Sequence, residues 1–88
     1  MKLKYEFVVN SVAGEIIAVS VGNVAGAFNG YIKLNDTGAF IFNELKNDTT
    51  RDDIIEKLMA EYPDASKKDA AESVDELLKK LSEAELLV

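Results

Sequence analysis

Apolar positions change period once along this chain. From Tyr5 to Leu34 they fall in short β-branched and aromatic runs, Tyr5–Val9, Glu15–Val21 and Tyr31–Leu34, broken by polar residues and by Gly14, Gly22, Gly26 and Gly30. Runs of that length bounded by turn residues predict three strands, arranged as an antiparallel meander over residues 5–34. Asn10 to Gly14 is the predicted hairpin turn, with Gly14 able to take positive φ at low steric cost. The second connection, Gly22 to Gly30, is longer, and Ala25 and Phe28 are expected to drop from it onto the sheet as apolar plugs.

From residue 35 onward the period is helical. Leu34, Gly38, Phe42 and Leu45, with Ile41 beside them, form one apolar stripe, and Asn35 or Asp36 can cap the first turn of a helix over 36–46. Asn47 is expected to end it in the left-handed conformation that asparagine tolerates. Thr50 with Asp53 resembles a capping box for a second helix over 51–62, in which Ile54, Ile55, Leu58, Met59 and Tyr62 form the buried face and Pro63 is the stop. Ser66 with Asp69 repeats the signal for a third helix over 67–83. There Ala70, Ala71, Val74, Leu77, Leu78 and Leu81 make a stripe wider than one contact requires, so this helix is expected to face its neighbours on one side and the sheet or a groove on the other. The junction Leu34–Phe42 is the most informative stretch, because a strand end, a cap and an apolar helix face meet within it.

Three strands followed by three helices predict an α+β domain resembling a winged helix-turn-helix, with a three-stranded antiparallel N-terminal sheet and a three-helix bundle. No linker rich in proline, glycine and serine divides the 88 residues, so they read as one domain. A chain of this size buries only about 60% of its unfolded surface, which argues against a large enclosed catalytic cleft. Apolar residues are 48% and charged residues 30%, the balance of a folded, soluble chain. The first apolar run is too short for a signal peptide, and the expected location is the cytoplasm. Cysteine and histidine are both absent, which removes disulfides, the usual donors for zinc, haem and iron–sulfur clusters, and the commonest general base. No cofactor or metal is expected, and the carboxylates form no pairing that spacing identifies. The chain reads as a binding module rather than an enzyme.

Residue types then favour one family. FNGYIKLNDTGAFIFNEL at Phe28–Leu45, TTRDDIIEKL at Thr49–Leu58 and VDELLKKLSEAELL at Val74–Leu87 together resemble the PqqD-like family of small proteins from pyrroloquinoline quinone biosynthesis and other ribosomal peptide modification pathways. The most specific part is Leu34, Asn35, Asp36 and Thr37 with the aromatic helix that follows. Two departures are mild. Gly38 stands where the family often has alanine, weakening the helix start by roughly 1 kcal/mol, and Asn47 stands where it often has glycine.

The resemblance implies a non-catalytic module that binds the leader segment of a ribosomally made precursor and presents it to a modifying enzyme, often a radical SAM enzyme. In such domains the leader adds as a strand to the edge of the third strand while the last helix lines the other wall of the groove. Carried over, the strand residues are Gly30, Tyr31, Ile32, Lys33 and Leu34. On the helix, Val74, Leu77 and Leu81 offer an apolar floor, Ala70 leaves room for a larger leader residue, and Lys79 and Lys80 can attract carboxylates. An edge strand has unpaired backbone groups that take a peptide in extended form without needing a particular side chain. Apolar residues at helical spacing are ordinarily core and paired lysines ordinarily solvated, so the edge itself carries the expectation. The expected partners are a precursor leader and a radical SAM or other peptide-modifying enzyme, with no membrane and no nucleic acid. The expected state is a monomer or weak dimer.

Two other classes remain in view. Winged-helix domains commonly read DNA, but a net charge of −6 and a third helix that mixes Lys67, Lys68, Lys79 and Lys80 with five carboxylates give no basic stripe. A carrier protein would hold a phosphopantetheine arm on a serine, and Glu72, Ser73, Val74 and Asp75 echo that motif. The carrier motif, however, has aspartate directly before its serine at a helix start, whereas Ser73 follows a glutamate inside the third helix.

Overall fold

The computed structural model describes residues 1–21 and 31–88. The expected plugs Ala25 and Phe28, and Gly30 at the head of the third strand, lie outside the described residues. Three strands, β1 (Phe7–Val12), β2 (Glu15–Ser20) and β3 (Tyr31–Leu34), precede three helices, α1 (Asp36–Glu44), α2 (Arg51–Glu61) and α3 (Lys67–Glu83). The sheet is antiparallel in the order β1-β2-β3, with Val12 opposite Glu15 and Ala18 opposite both Val9 and Ile32. Among the described residues, β1 and β3 are therefore the edges.

The first hairpin is tighter than the sequence suggests. β1 runs on through Asn10, Ser11 and Val12, and the turn is only Ala13–Gly14, at φ +51° and +81°. Two left-handed residues in a two-residue loop match the right-handed twist of the flanking strands. The polar end of β1 carries no strand signal because Asn10 to Val12 are exposed, and backbone pairing holds them where no apolar alternation marks a strand.

Helix starts follow the capping chemistry. Asn35, not Asp36, caps α1, accepting the Gly38 N–H at 2.6 Å; Thr50 accepts from Asp53 at 3.2 Å and Ser66 from Asp69 at 3.1 Å. The end of α1 differs from expectation. Leu45 has right-handed dihedrals and donates to both the Ile41 and Phe42 carbonyls, and Lys46 donates to Asn43, so the helix tightens into a final turn. Asn47 is not left-handed: among the described non-glycine residues only Ala13 and Glu85 have positive φ. Tightening satisfies the last carbonyls that a left-handed residue would otherwise serve. At the end of α2, Tyr62 is the cap rather than a helical residue, with Pro63 beyond it.

The core lies between the inner sheet face and the helices. Phe7, Ala18 and Ile32 from the sheet meet Ile41, Phe42, Leu45, Ile54, Leu58, Val74 and Leu81, all buried. Phe7 and Phe42 meet edge to face, with ring centroids 5.2 Å apart at 86°. Such aromatic pairs add about 0.5–1.5 kcal/mol beyond the area they bury. Both ends of the chain close the base of this core. Leu3 donates to the Leu45 carbonyl and bridges Leu87, Lys4 donates to Leu86, and Val88 donates back to Lys2. Leu3 and Leu86 are buried there, and the short run 86–88 is thereby tied to the N-terminal segment rather than to β3.

Candidate functional site

Hydrogen-bond parity identifies which groups β3 leaves free. In an antiparallel sheet, the backbone of successive residues points alternately to the two neighbouring strands. The two-residue hairpin makes Val12 and Glu15 a bonded pair, and Val21 N–H donates to Glu6 at 2.9 Å in the same phase. Odd-numbered residues of β2 thus serve β1, leaving Ile16 and Ala18 to bond Leu34 and Ile32 of β3. Tyr31 and Lys33 consequently direct their N–H and C=O groups away from the sheet. Among the described residues no strand pairs with that margin.

The side chains divide the other way. Ile32 is buried and Leu34 half-buried on the inner face, whereas Tyr31, 59% exposed, and Lys33 lie on the outer face. There the Lys33 ammonium meets the Glu15 carboxylate at 3.0 Å. The hydrogen bond that the ammonium donates to Glu15, and then the charge of that carboxylate, raise the Lys33 pKa above the ordinary lysine value.

Two depressions lie between β3 and α3. The larger, about 450 Å³, is lined by Tyr31, Ile32, Lys80, Leu81, Ala84 and Leu86. The smaller, about 140 Å³, has Leu34, Thr37, Gly38, Ser73, Leu77 and Lys80 in its lining. Lys33 borders both. Lys80 stands on the α3 wall where they adjoin, and among the described residues no ion pair engages it. The rest of the wall is fixed from behind: Val74 and Leu81 are fully buried, and Arg51 of α2 grips Asp75 through Nε and Nη2 at 2.5 and 2.9 Å.

The sequence-read helix residues thus separate into groups. Leu77 and Leu81 border the groove. Val74, as fully buried as Leu81, is in neither lining and acts from within the core, while Ala70 lies beside a different hollow, with Thr37, Leu58 and Tyr62. Of the two lysines, Lys80 reaches the groove lining and Lys79 does not. Ala84, Leu86, Thr37 and Ser73 belong to the lining, although the sequence assigns none of them to the groove. Leu86 had a signal in the apolar ending of the chain, but its position depends on a turn no pattern announced. Glu85 adopts φ +59°, which lets Leu86 N–H reach the Leu81 carbonyl at 2.9 Å. No described helix is long and apolar enough to cross a membrane.

An α+β domain of winged-helix type, with an open third strand beside a groove walled by its last helix, is the class that fold and geometry define. The chain matches, over residues 6–87, the family described as "Coenzyme PQQ synthesis protein D (PqqD)", and it belongs to that family. Among solved structures it is similar to one described as "TbiB1 in Complex with the TbiA(beta) Leader Peptide", with a TM-score of 0.70 and 22% identity over 99% of this chain and 94% of that one. At that identity the likeness is one of fold. No curated protein matches the chain.

Proposed function

We propose that this chain binds the leader segment of a ribosomally made precursor peptide by strand addition to β3 and presents it to a modifying enzyme, with a radical SAM enzyme as the foremost candidate. The observation that carries the proposal is the outward-directed backbone of Tyr31 and Lys33, unpaired among the described residues and set beside an apolar groove. Membership of the PqqD family and a fold shared with a protein solved with a leader peptide support it. Leu77 and Leu81 then contribute groove wall, Ile32 and Leu34 hold the strand to the core, and Ala70 and Val74 fix the position of α3. The domain works by binding alone, and the chemistry belongs to its partner.

Affinity in the nanomolar to micromolar range, about −8 to −12 kcal/mol, suits such an adaptor, with backbone pairing supplying most of the contact. The test is an amide-resolved NMR titration with the leader of a precursor encoded beside the gene. Saturable shifts at Tyr31, Lys33 and the α3 residues from Leu77 to Leu81 are expected. Binding that leaves Tyr31 and Lys33 unmoved, or no binding by any such leader, overturns the proposal.

A further inference from the structure

The two depressions are separated by one same-face step of a strand. On β3 the smaller is centred on Leu34 and the larger on Ile32, positions about 7 Å apart in an extended chain. On α3 the smaller is bordered by Ser73, Glu76, Leu77 and Lys80 and the larger by Lys80, Leu81 and Ala84, whose mean positions differ by about 8 Å of helix rise. A guest strand bonded to Tyr31 and Lys33 places the residues opposite Leu34 and Ile32 on the inner face, toward α3, because directly opposed residues share a face. One guest side chain therefore falls at each depression. The residue between them falls on the outer face, beside Tyr31 and Lys33.

We infer that the groove selects a three-residue pattern in its guest: a compact polar residue, then any residue, then a bulky apolar one. This rests on the strand-addition reading above. The order follows if the guest runs antiparallel to β3, as both existing pairs in the sheet do; it then meets Leu34 before Ile32. The chemistry follows from the linings. The depression at Leu34 is small, about 140 Å³, and its lining includes Asn35, Thr37 and Ser73 with Glu76 and Lys80, neutral hydrogen-bonding groups and one charge of each sign that suit asparagine, serine or threonine. The depression at Ile32 is about 450 Å³ and is walled by Ile32, Leu81, Ala84 and Leu86, a setting for leucine, phenylalanine or tyrosine.

Gly38 is the specificity-determining residue of the small depression. A Cβ at that position would stand 3.5 Å from Leu34 Cδ2 and 3.0 Å from Asn35 Oδ1, on the side chains that border the space. Glycine keeps the space open. Ala84 has the matching role in the large depression, as an exposed cap residue whose short side chain leaves the hollow unfilled.

The experiment is selection of a random decapeptide display library against the full chain, with winning peptides synthesised and titrated while amide shifts are followed. The expected winners carry the compact-polar, any, bulky-apolar order and shift Tyr31 and Lys33. Ala84→Leu is expected to weaken them about tenfold, since overfilling a packed space costs about that much. Gly38→Ala is expected to move the first position toward glycine and alanine while leaving the third unchanged. Winners that shift Tyr31 and Lys33 but show the reverse order, no two-residue spacing, or indifference to Ala84→Leu overturn this inference and leave strand addition standing. Winners that bind elsewhere, or a selection that yields none, overturn both.

Discussion

Leu86 is held against Leu81 by the turn that ends α3. Leu86 N–H donates to the Leu81 carbonyl at 2.9 Å and Glu85 N–H to Ser82 at 3.0 Å, with Glu85 itself at φ +59°. This double closure, with a left-handed residue between and an apolar contact across it, is the Schellman ending, in which glycine is the usual occupant. Glutamate there bears the steric penalty of the left-handed region, about 1–2 kcal/mol. Glu85→Gly is therefore expected to stabilise the fold by about 1 kcal/mol after glycine's added unfolded-state entropy is deducted. Urea unfolding checks this: the midpoint should rise with an unchanged slope. A lowered midpoint would show that the glutamate side chain supports the turn.

The β1–β2 hairpin carries the same kind of local conflict. Ala13 at φ +51° precedes Gly14 at φ +81°, where asparagine followed by glycine is the favoured pair. Ala13→Asn is expected to raise stability by about 0.5–1 kcal/mol. Gly14→Ala is expected to lower it by about 1 kcal/mol or more, although the space around Gly14 is open, because the strain is in the backbone. Thermal melting of the two variants should move in opposite directions, by about 4–8 °C per kcal/mol for a domain of this size.

What could be read from the sequence was whatever local chemistry determines. Thr50 and Ser66 cap where the pattern places them, Pro63 follows the end of α2, and the stripe of Ile54, Leu58, Val74 and Leu81 is core. The third strand was legible too: among the described residues Tyr31–Leu34 forms it, at a sheet edge. Contacts between distant residues were not. Nothing in Met1–Lys4 announces that Leu3 will be clasped between Leu45 and Leu87, and the helical stripe of α3 does not distinguish buried Val74 from Leu77 at the groove. Gly38 was legible only as a weak helix residue. The structure adds that its N–H approaches Asn35 Oδ1 to 2.6 Å, so the alanine common in the family would press on the cap it is meant to strengthen.

The clamp between Arg51 and Asp75 gives a pH dependence of known sign. The Arg51 guanidinium, through its hydrogen bond and then its charge, holds the Asp75 carboxyl below the ordinary carboxylate range. A group whose pKa is depressed by folding adds stability above its unfolded value, about 3.9, and that contribution disappears as pH falls through the lower folded value. The effect is small, because both side chains are about half exposed, at 47% and 53%. Asp75→Asn is expected to melt slightly below the parent at pH 7 and to converge with it as pH falls through the lowered Asp75 value. Melting curves that stay parallel across that window would mean the ion pair adds nothing in solution.

Backbone and side chain can be separated at Lys33, because they serve different faces of β3. Its ammonium is occupied by Glu15 on the outer face, while its N–H is directed to the open margin. Lys33→Ala removes only an exposed ion pair, so leader affinity is expected to change by no more than about threefold. Lys33→Pro removes the margin donor without taking a bond from the β2–β3 ladder, the one kind of strand position where proline is tolerated. It also sets the ring against an incoming backbone. Loss of at least about tenfold in affinity is expected, from one hydrogen bond and the obstruction together. Calorimetric titration of a margin-binding peptide with both variants reads the difference, and circular dichroism confirms that the proline variant remains folded. Equal affinity for a folded Lys33→Pro and the parent would mean that the guest does not pair with β3.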